Sequence, residues 1–476
     1  MESFLLIMKN KLQAIDLNQS KNDLSINVNT NIQYLKMLAI WPLKEDIQIW
    51  KRAIMYVVFV IGVFVQFIII CSQILDIVVG VDEHGELTDN IFMTGIAFNG
   101  LFKQVYVAYR KKSFQSLVKS IDKVFYKAQE PFKNEKKIIL ENSLFYGKLV
   151  TWSIICVCIF SGFCYPLIPL SAGFHSLVDS NSTAPRPLPH SGWFPFDKNE
   201  SPYYEIVYAI MSFNAFYIAL YASSTDTLII SLMIHTFKQF EILQFSIRNV
   251  KQYAINRINA PNNQFGQNER HLSITSDTTV YSYNSNNISL IKKTNKNGFQ
   301  KLNNENYMTD KESREKFNEE LNICLGLCIK KHQELLSFSE HLNDLASPFL
   351  LVQLVVDVSF LCILTLHMTV VPVMSFKFIS AFGIVMAVLN IVGLISWCSG
   401  ELSVKSEGIR DAAFECEWET TSSHFKNSLK FLMLRAMKPC TIKAGKFMDF
   451  NLANYAMVLK ASYSYFTVLQ RVYHDK

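Results

Sequence analysis

Residues 54–79 read IMYVVFVIGVFVQFIIICSQILDIVV. The hydrocarbon core of a bilayer takes ~20 apolar residues of helix, and this run is long enough to cross it, whereas a helix buried in a soluble core is usually shorter. Working outward, similar runs recur at Ile91–Tyr109, Leu149–Leu170, Tyr204–Met233, Phe349–Val371, Phe378–Trp397 and Leu452–Leu469, the last interrupted by Lys460. The expected fold is therefore an all-α membrane protein of seven transmembrane helices. Half of the 476 residues are hydrophobic, Phe alone contributes 36, and the apolar runs alternate with stretches crowded with Lys, Arg, Asn and Glu.

The connecting segments orient the spans. Arg110–Lys148 carries ten basic residues, 235–347 fourteen and 399–451 eight, against none in Val81–Asn90 and two in Ser171–Pro202, Arg186 and Lys198. Basic residues stay cytosolic, which predicts a cytosolic N-terminus and an extracellular C-terminus. Asn181-Ser182-Thr183 lies in a loop this topology places outside, so Asn181 is a glycosylation acceptor. The orientation is the reverse of a G-protein-coupled receptor. No Asp-Arg-Tyr triplet follows the third span and no Asn-Pro-x-x-Tyr closes the seventh. A net charge of +6 is small for this length, and nothing in its placement points to nucleic acid.

The N-terminal 1–53 reads as a cytosolic segment. Its run Phe4–Met8 is too short for a signal-peptide core, and Ile32–Trp41 reads as an amphipathic stretch lying on the membrane surface. Spans one to four occupy 54–233, and 234–348 is cytosolic. Within it, Phe237–Ile258 and Lys316–Leu345 have helical spacing, and 264–308 is an Asn-, Ser- and Thr-rich insertion expected to be disordered. Spans five and six take 349–397, a cytosolic segment 398–451 with an amphipathic helix at Glu401–Met437 follows, and 452–476 holds the seventh span and a short external tail. The apolar stripes of the cytosolic helices need cover, either within one chain or between subunits.

Candidate functional residues fall in three groups. In the last span Asn454, Met457, Ala461, Ser464 and Val468 share one face. A small, mildly polar stripe permits close helix packing or, in a symmetric oligomer, lines a conduit with Val468 as a hydrophobic constriction. The outer halves of spans two, three, four and six are rich in aromatic residues and Met (Phe92, Phe98, Phe160, Tyr165, Tyr208, Met211, Phe213, Phe382, Met386). Such a lining suits a small apolar ligand held by shape and dispersion, or simply packs against lipid. Asp226, Asp357 and Lys460 are the ionisable residues read within spans, where such groups are costly, and no spacing ties them into a relay. Ten scattered cysteines offer no disulfide staple, and Cys324-x-x-x-Cys328 has no second ligand pair beside it. No catalytic constellation, phosphate loop or metal spacing is present, so neither an enzyme nor a cofactor is expected.

The C-terminal third carries a resemblance. Ile395-Ser396-Trp397-Cys398-Ser399-Gly400-Glu401-Leu402, Ser406–Trp418, Ala436-Met437-Lys438-Pro439, Thr441–Phe447 and Leu459–Thr467 resemble the insect odorant receptor family, with weaker similarity at Phe194–Asp197 and Ser201–Glu205. The resemblance implies a four-subunit, odorant-gated cation channel in the plasma membrane of a sensory neuron dendrite. Its last helix would line the pore through Ala461 and Ser464, Val468 would be the gate, and Thr467 or Leu469 would flank it. The cytosolic helices would form the anchor between subunits. It also implies a pocket for a small volatile apolar molecule near Phe92, Phe160, Tyr208, Met211, Phe382 and Met386. The chain is more like a tuning receptor than the shared co-receptor, and the resemblance implies assembly with co-receptor subunits in a heterotetramer within the lipid bilayer. A G-protein-coupled receptor of reversed topology and a transporter stand as alternatives; no internal repeat supports the latter.

Overall fold

A computed structural model describes residues 31–32, 35–36, 48–79, 84–121, 139, 145–160, 162–163, 166–167, 169, 188–197, 200–259, 281–282, 291–292, 311–373 and 375–474. The described residues are mostly helical: α1 (Ile49–Val79), α2 (His84–Tyr109), α3 (Lys111–Ile121), α4 (Phe145–Phe160), α5 (Tyr203–Arg248), α6 (Val250–Asn259), α7 (Lys311–Val370), α8 (Phe376–Phe414), α9 (Ser423–Ala436) and α10 (Leu452–His474). Two short antiparallel ladders join them. One pairs β1 (Tyr281–Ser282) with β2 (Ile291–Lys292), and the other pairs β3 (Lys443–Ala444) with β4 (Met448–Asp449). Asn181 and most of the 264–308 insertion lie outside the described residues.

Among the described residues four helices are long and apolar enough to cross a membrane: α1, α5, α7 and α8. On α1 the polar side chains Gln66, Ser72 and Gln73 are among the buried residues, while Ile54, Phe64, Phe67 and Val78 are exposed. That inversion of the usual arrangement fits a helix whose outer solvent is hydrocarbon. Helix α2 is less apolar because Asn90, Asn99, Lys103 and Gln104 all turn into the bundle.

The apolar periods on either side of the long 234–348 segment run on without a break, so that spans four and five are extended as long helices. Span four continues to Arg248, and the stretch before span five is one helix with it, α7, interrupted chemically only by Pro348. Glu205 in the first turn of α5 and Arg248 in its last complement the helix dipole. The helix expected over Glu401–Met437 is instead two. Helix α8 ends at Phe414, Glu417 takes a positive φ, and Ser422 caps α9 by accepting from Phe425 N at 3.3 Å. Phe425, Leu429 and Leu432 are buried, but Phe414 and Leu434 are exposed. Of Ile32–Trp41, the stretch read as lying on the membrane surface, residues 32, 35 and 36 are described. Leu35 is buried, and Asn31 is buried against α5, donating to Ser231 Oγ at 2.7 Å and to the Thr227 carbonyl at 3.3 Å.

The long helices continue beyond the apolar layer into a conventional core. Phe240, Leu243 and Ile247 of α5 pack with Leu321, Leu325 and Leu335 of α7, with Leu402 and Ile409 of α8, and with α9. Each side chain so buried contributes about 1.5–3 kcal/mol. Two ion pairs lie nearer the surface here: Arg248 with Glu415, and Lys251 with Glu417 at 3.5 Å.

Candidate ligand pocket and pore wall

Helix α10 is the least enclosed of the C-terminal helices. It holds the bundle through Val458 and Ser462, which are buried, through Cys362 Sγ donating to the Ser462 carbonyl at 3.5 Å, and through Tyr455 OH donating to the Leu389 carbonyl at 3.2 Å. The opposite side is open: Met457, Ser464 and Val468 are exposed and Ala461 is partly so. Thr467 and Ser464 turn their hydroxyls back onto the helix, donating to the carbonyls of Ser464 (2.8 Å) and Lys460 (3.0 Å). From Met457 onward the stripe read from the sequence is therefore an open or half-open face, while Asn454 at its start is held by the hairpin, its side-chain amide donating to the Asp449 carbonyl at 2.6 Å. Lys460 is exposed, outside the bundle interior. The Leu469 side chain lies outside the described residues.

A hairpin sets the foot of this helix. Gly445 and Lys446 both have positive φ, 59° and 71°, and Phe447 N donates to the Ala444 carbonyl at 3.3 Å, the geometry of a type I′ turn. A Cβ on Gly445 would lie 2.6 Å from the Phe447 ring and 2.9 Å from Leu351. Glycine is thus required on both conformational and steric grounds.

The described residues show these contacts of the six aromatic and methionine positions. Phe160 of α4 lies against Gly383 of α8, whose neighbours Phe382 and Met386 are half-exposed. Tyr208 of α5 reaches the chain beyond the end of α4, its hydroxyl donating to the Pro166 carbonyl at 2.7 Å. Phe92 instead meets Phe360 of α7 edge-on, ring centroids 4.9 Å apart. Met211 packs below the segment 188–197, near Gly192. That segment is itself tied to α1, with Ser72 Oγ donating to the Trp193 carbonyl and Trp193 N to the Ser72 carbonyl.

The bundle interior holds a charged centre that the sequence reading only half found. Asp226 of α5 receives Lys103 Nζ of α2 at 2.8 and 2.9 Å, both side chains almost wholly buried. Lys103 also lies 4.9 Å from the Phe349 ring centroid on α7. Asp357 accepts from Gln353 at 2.7 Å, and Gln353 accepts from Asn99 at 3.2 Å. Lys103 lies in the second span, six residues before Tyr109, and is a further ionisable residue at bilayer level. Its signal was Asn99 four residues earlier, on the same face of α2.

Comparison with known proteins shows what kind of molecule carries this arrangement. The family model described as 7tm Odorant receptor matches residues 83–463. Odorant receptor 30a of Drosophila melanogaster is 32% identical over 146 residues, 31% of this chain and 38% of that protein. Odorant receptor Or2 of Anopheles gambiae is 26% identical over 147 residues and likewise matched over 39% of its length. These two relatives are thus aligned over well under half of their own lengths. Odorant receptor 13a of Drosophila melanogaster aligns over 93% of this chain and 94% of its own, at 20% identity. The solved structure of the insect olfactory receptor OR5 from Machilis hrabei in complex with eugenol superposes with a TM-score of 0.71. It covers 94% of this chain and 97% of that one, at 15% identity. By the family match over most of its length, this chain belongs to the insect odorant receptor family of multi-pass membrane proteins.

Proposed function

We propose that the chain is the odorant-binding subunit of a ligand-gated, non-selective cation channel. It sits in the plasma membrane of a sensory neuron dendrite with its N-terminus in the cytosol, and assembles with co-receptor subunits in a heterotetramer. The observation that carries the reading is the open face of α10. A membrane helix that turns Ala461, Ser464 and Val468 away from its own bundle needs either a partner or a water-filled conduit to meet them. Around a symmetry axis the same face lines a pore, and Val468 closes it as an apolar constriction that gates by dewetting. Thr467 and Leu469 flank that position.

The ligand is a small, largely apolar molecule, the class to which the eugenol bound by the Machilis receptor belongs. Phe160, Tyr208, Phe382 and Met386 contact it on the α4–α5–α8 side, and Phe92 and Met211 act from other faces. Asn181 is glycosylated on the external side. Co-expression with a co-receptor and exposure to a panel of volatile alcohols, esters and phenols should evoke current that survives a G-protein blocker. Current abolished by the blocker would transfer the chain to a metabotropic mechanism. Val468→Ser should raise the current in the absence of any odorant, and an unchanged leak removes Val468 from the gate.

A further inference from the structure

The middle of α7 is held from two directions within a few turns. On the bundle side, Tyr106 of α2 donates to the Leu345 carbonyl at 2.9 Å, Lys103 lies over Phe349, and Asn99 donates to Gln353. Lys103 brings α5 with it through Asp226. On the cytosolic side, the hairpin at the foot of α10 hangs from the same stretch. Lys443 N donates to Asn343 Oδ1 at 2.8 Å, Gly445 N to the Ser347 carbonyl at 3.1 Å, and Lys446 N to Ser347 Oγ at 2.9 Å.

Pro348 lies within this stretch, with contacts of both kinds beside it: Leu345 and Phe349 on the bundle side and Ser347 on the hairpin side. It has no N–H, so the Asp344 carbonyl loses its helical donor, and the helix is weakest along its axis here. The links on either side are stiff. The Lys103–Asp226 pair is buried in an apolar bundle, and the two-residue turn at Gly445 has the single backbone shape that its contacts allow.

A weak point in a helix, clamped on one side to α2 and α5 and on the other to the start of α10, can pass a displacement from one to the other. Coupling between distant sites needs such a contiguous physical link. Resting on the channel reading above, we propose that Asn343–Asp357 of α7 is the joint through which α2 and α5 set the position of the gate helix, with Lys103 and Ser347 as its positioning residues.

The test reads the position of the gate without needing to know the odorant. Val468→Cys is introduced into the full chain, co-expressed with the co-receptor, and labelled on intact cells with a biotinylated methanethiosulfonate. The labelling of a chain that keeps Val468 is subtracted, and surface protein is measured in parallel. Ser347→Ala deletes the acceptor of Lys446 N and keeps the backbone acceptor of Gly445 N; Asn343→Ala is the second variant on that side. Each should raise the labelling rate by about threefold or more, the scale of one lost hydrogen bond. The bundle-side replacement K103M/D226L should change it too, and the two effects should not add.

Unchanged rates in variants that reach the surface overturn the proposal, as do strictly additive effects. Loss of both Ser347→Ala and Asn343→Ala from the surface also overturns it, since these contacts would then serve folding alone. Labelling does not depend on current, so a channel reading that fails by the leak of Val468→Ser is told apart from a joint that fails here.

Discussion

The bundle at bilayer level and the bundle beyond the apolar layer share three helices, α5, α7 and α8, yet they are held differently. At bilayer level the interior holds Lys103, Asp226, Gln353 and Asp357, while α1 turns Phe64 and Phe67 outward. Beyond the apolar layer the interior includes Phe240, Leu325, Leu335 and Leu402, and Arg248 pairs with Glu415 near the surface. Water drives apolar side chains inward. Lipid tails supply no such drive, so packing and buried polar links hold helices together there. One continuous helix therefore changes the principle of its cohesion partway along its length.

Breaking the bilayer half should have the largest effect. Lys103→Met leaves Asp226 buried and unpaired, a loss on the order of 3–5 kcal/mol, whereas K103M/D226L removes both charges and should recover most of it. Thermal unfolding of the detergent-solubilised chain checks the pair; a double replacement as damaged as the single one would show that the ion pair is not what the site needs. In the half beyond the apolar layer, Phe240→Ala should cost about 3–5 kcal/mol by cavity formation, and no second substitution of charge should rescue it. The contrast between rescue and no rescue is the comparison in its sharpest form.

A smaller effect comes from acid. His332 is buried beside Phe240, ring centroids 6.2 Å apart, and burial, then the nearby Arg435, pushes its imidazole down to about 4. The unfolded chain takes up that proton below ~6.5, while the folded chain refuses it until about 4. Stability is therefore full above pH 6.5 and falls as the pH drops toward 4, by up to about 3 kcal/mol. Melting temperatures at pH 7.5 and 5 should differ, and His332→Phe should narrow the difference. Smallest of all, Arg248→Met at the partly exposed pair with Glu415 should cost about 0–1 kcal/mol, measured by the same melt; a larger loss would mean that surface charge holds this half together.

The sequence by itself determined the class of the molecule. Apolar runs of bilayer length, the placement of basic residues and the closing run Leu459–Thr467 all read locally, because insertion into a membrane acts on contiguous segments. The stripe on α10 was legible for the same reason, since helical period alone places Ala461, Ser464 and Val468 on one face. What depends on residues far apart in the chain was not. The break at 415–422 and the burial of Asn31 under α5 are settled by neighbours that no local pattern names. The contacts of Phe92, Phe160 and Met211 were no more legible, because an aromatic residue or Met in a span has the same signature whether it meets a ligand, lipid or another helix. Lys103 shows the point most directly. Read along the chain it is a cation beside a basic loop; only the packing of α2 on α5 and α7 brings it to Asp226, 123 residues away, because a charge in an apolar medium is tolerated only where the fold delivers its partner.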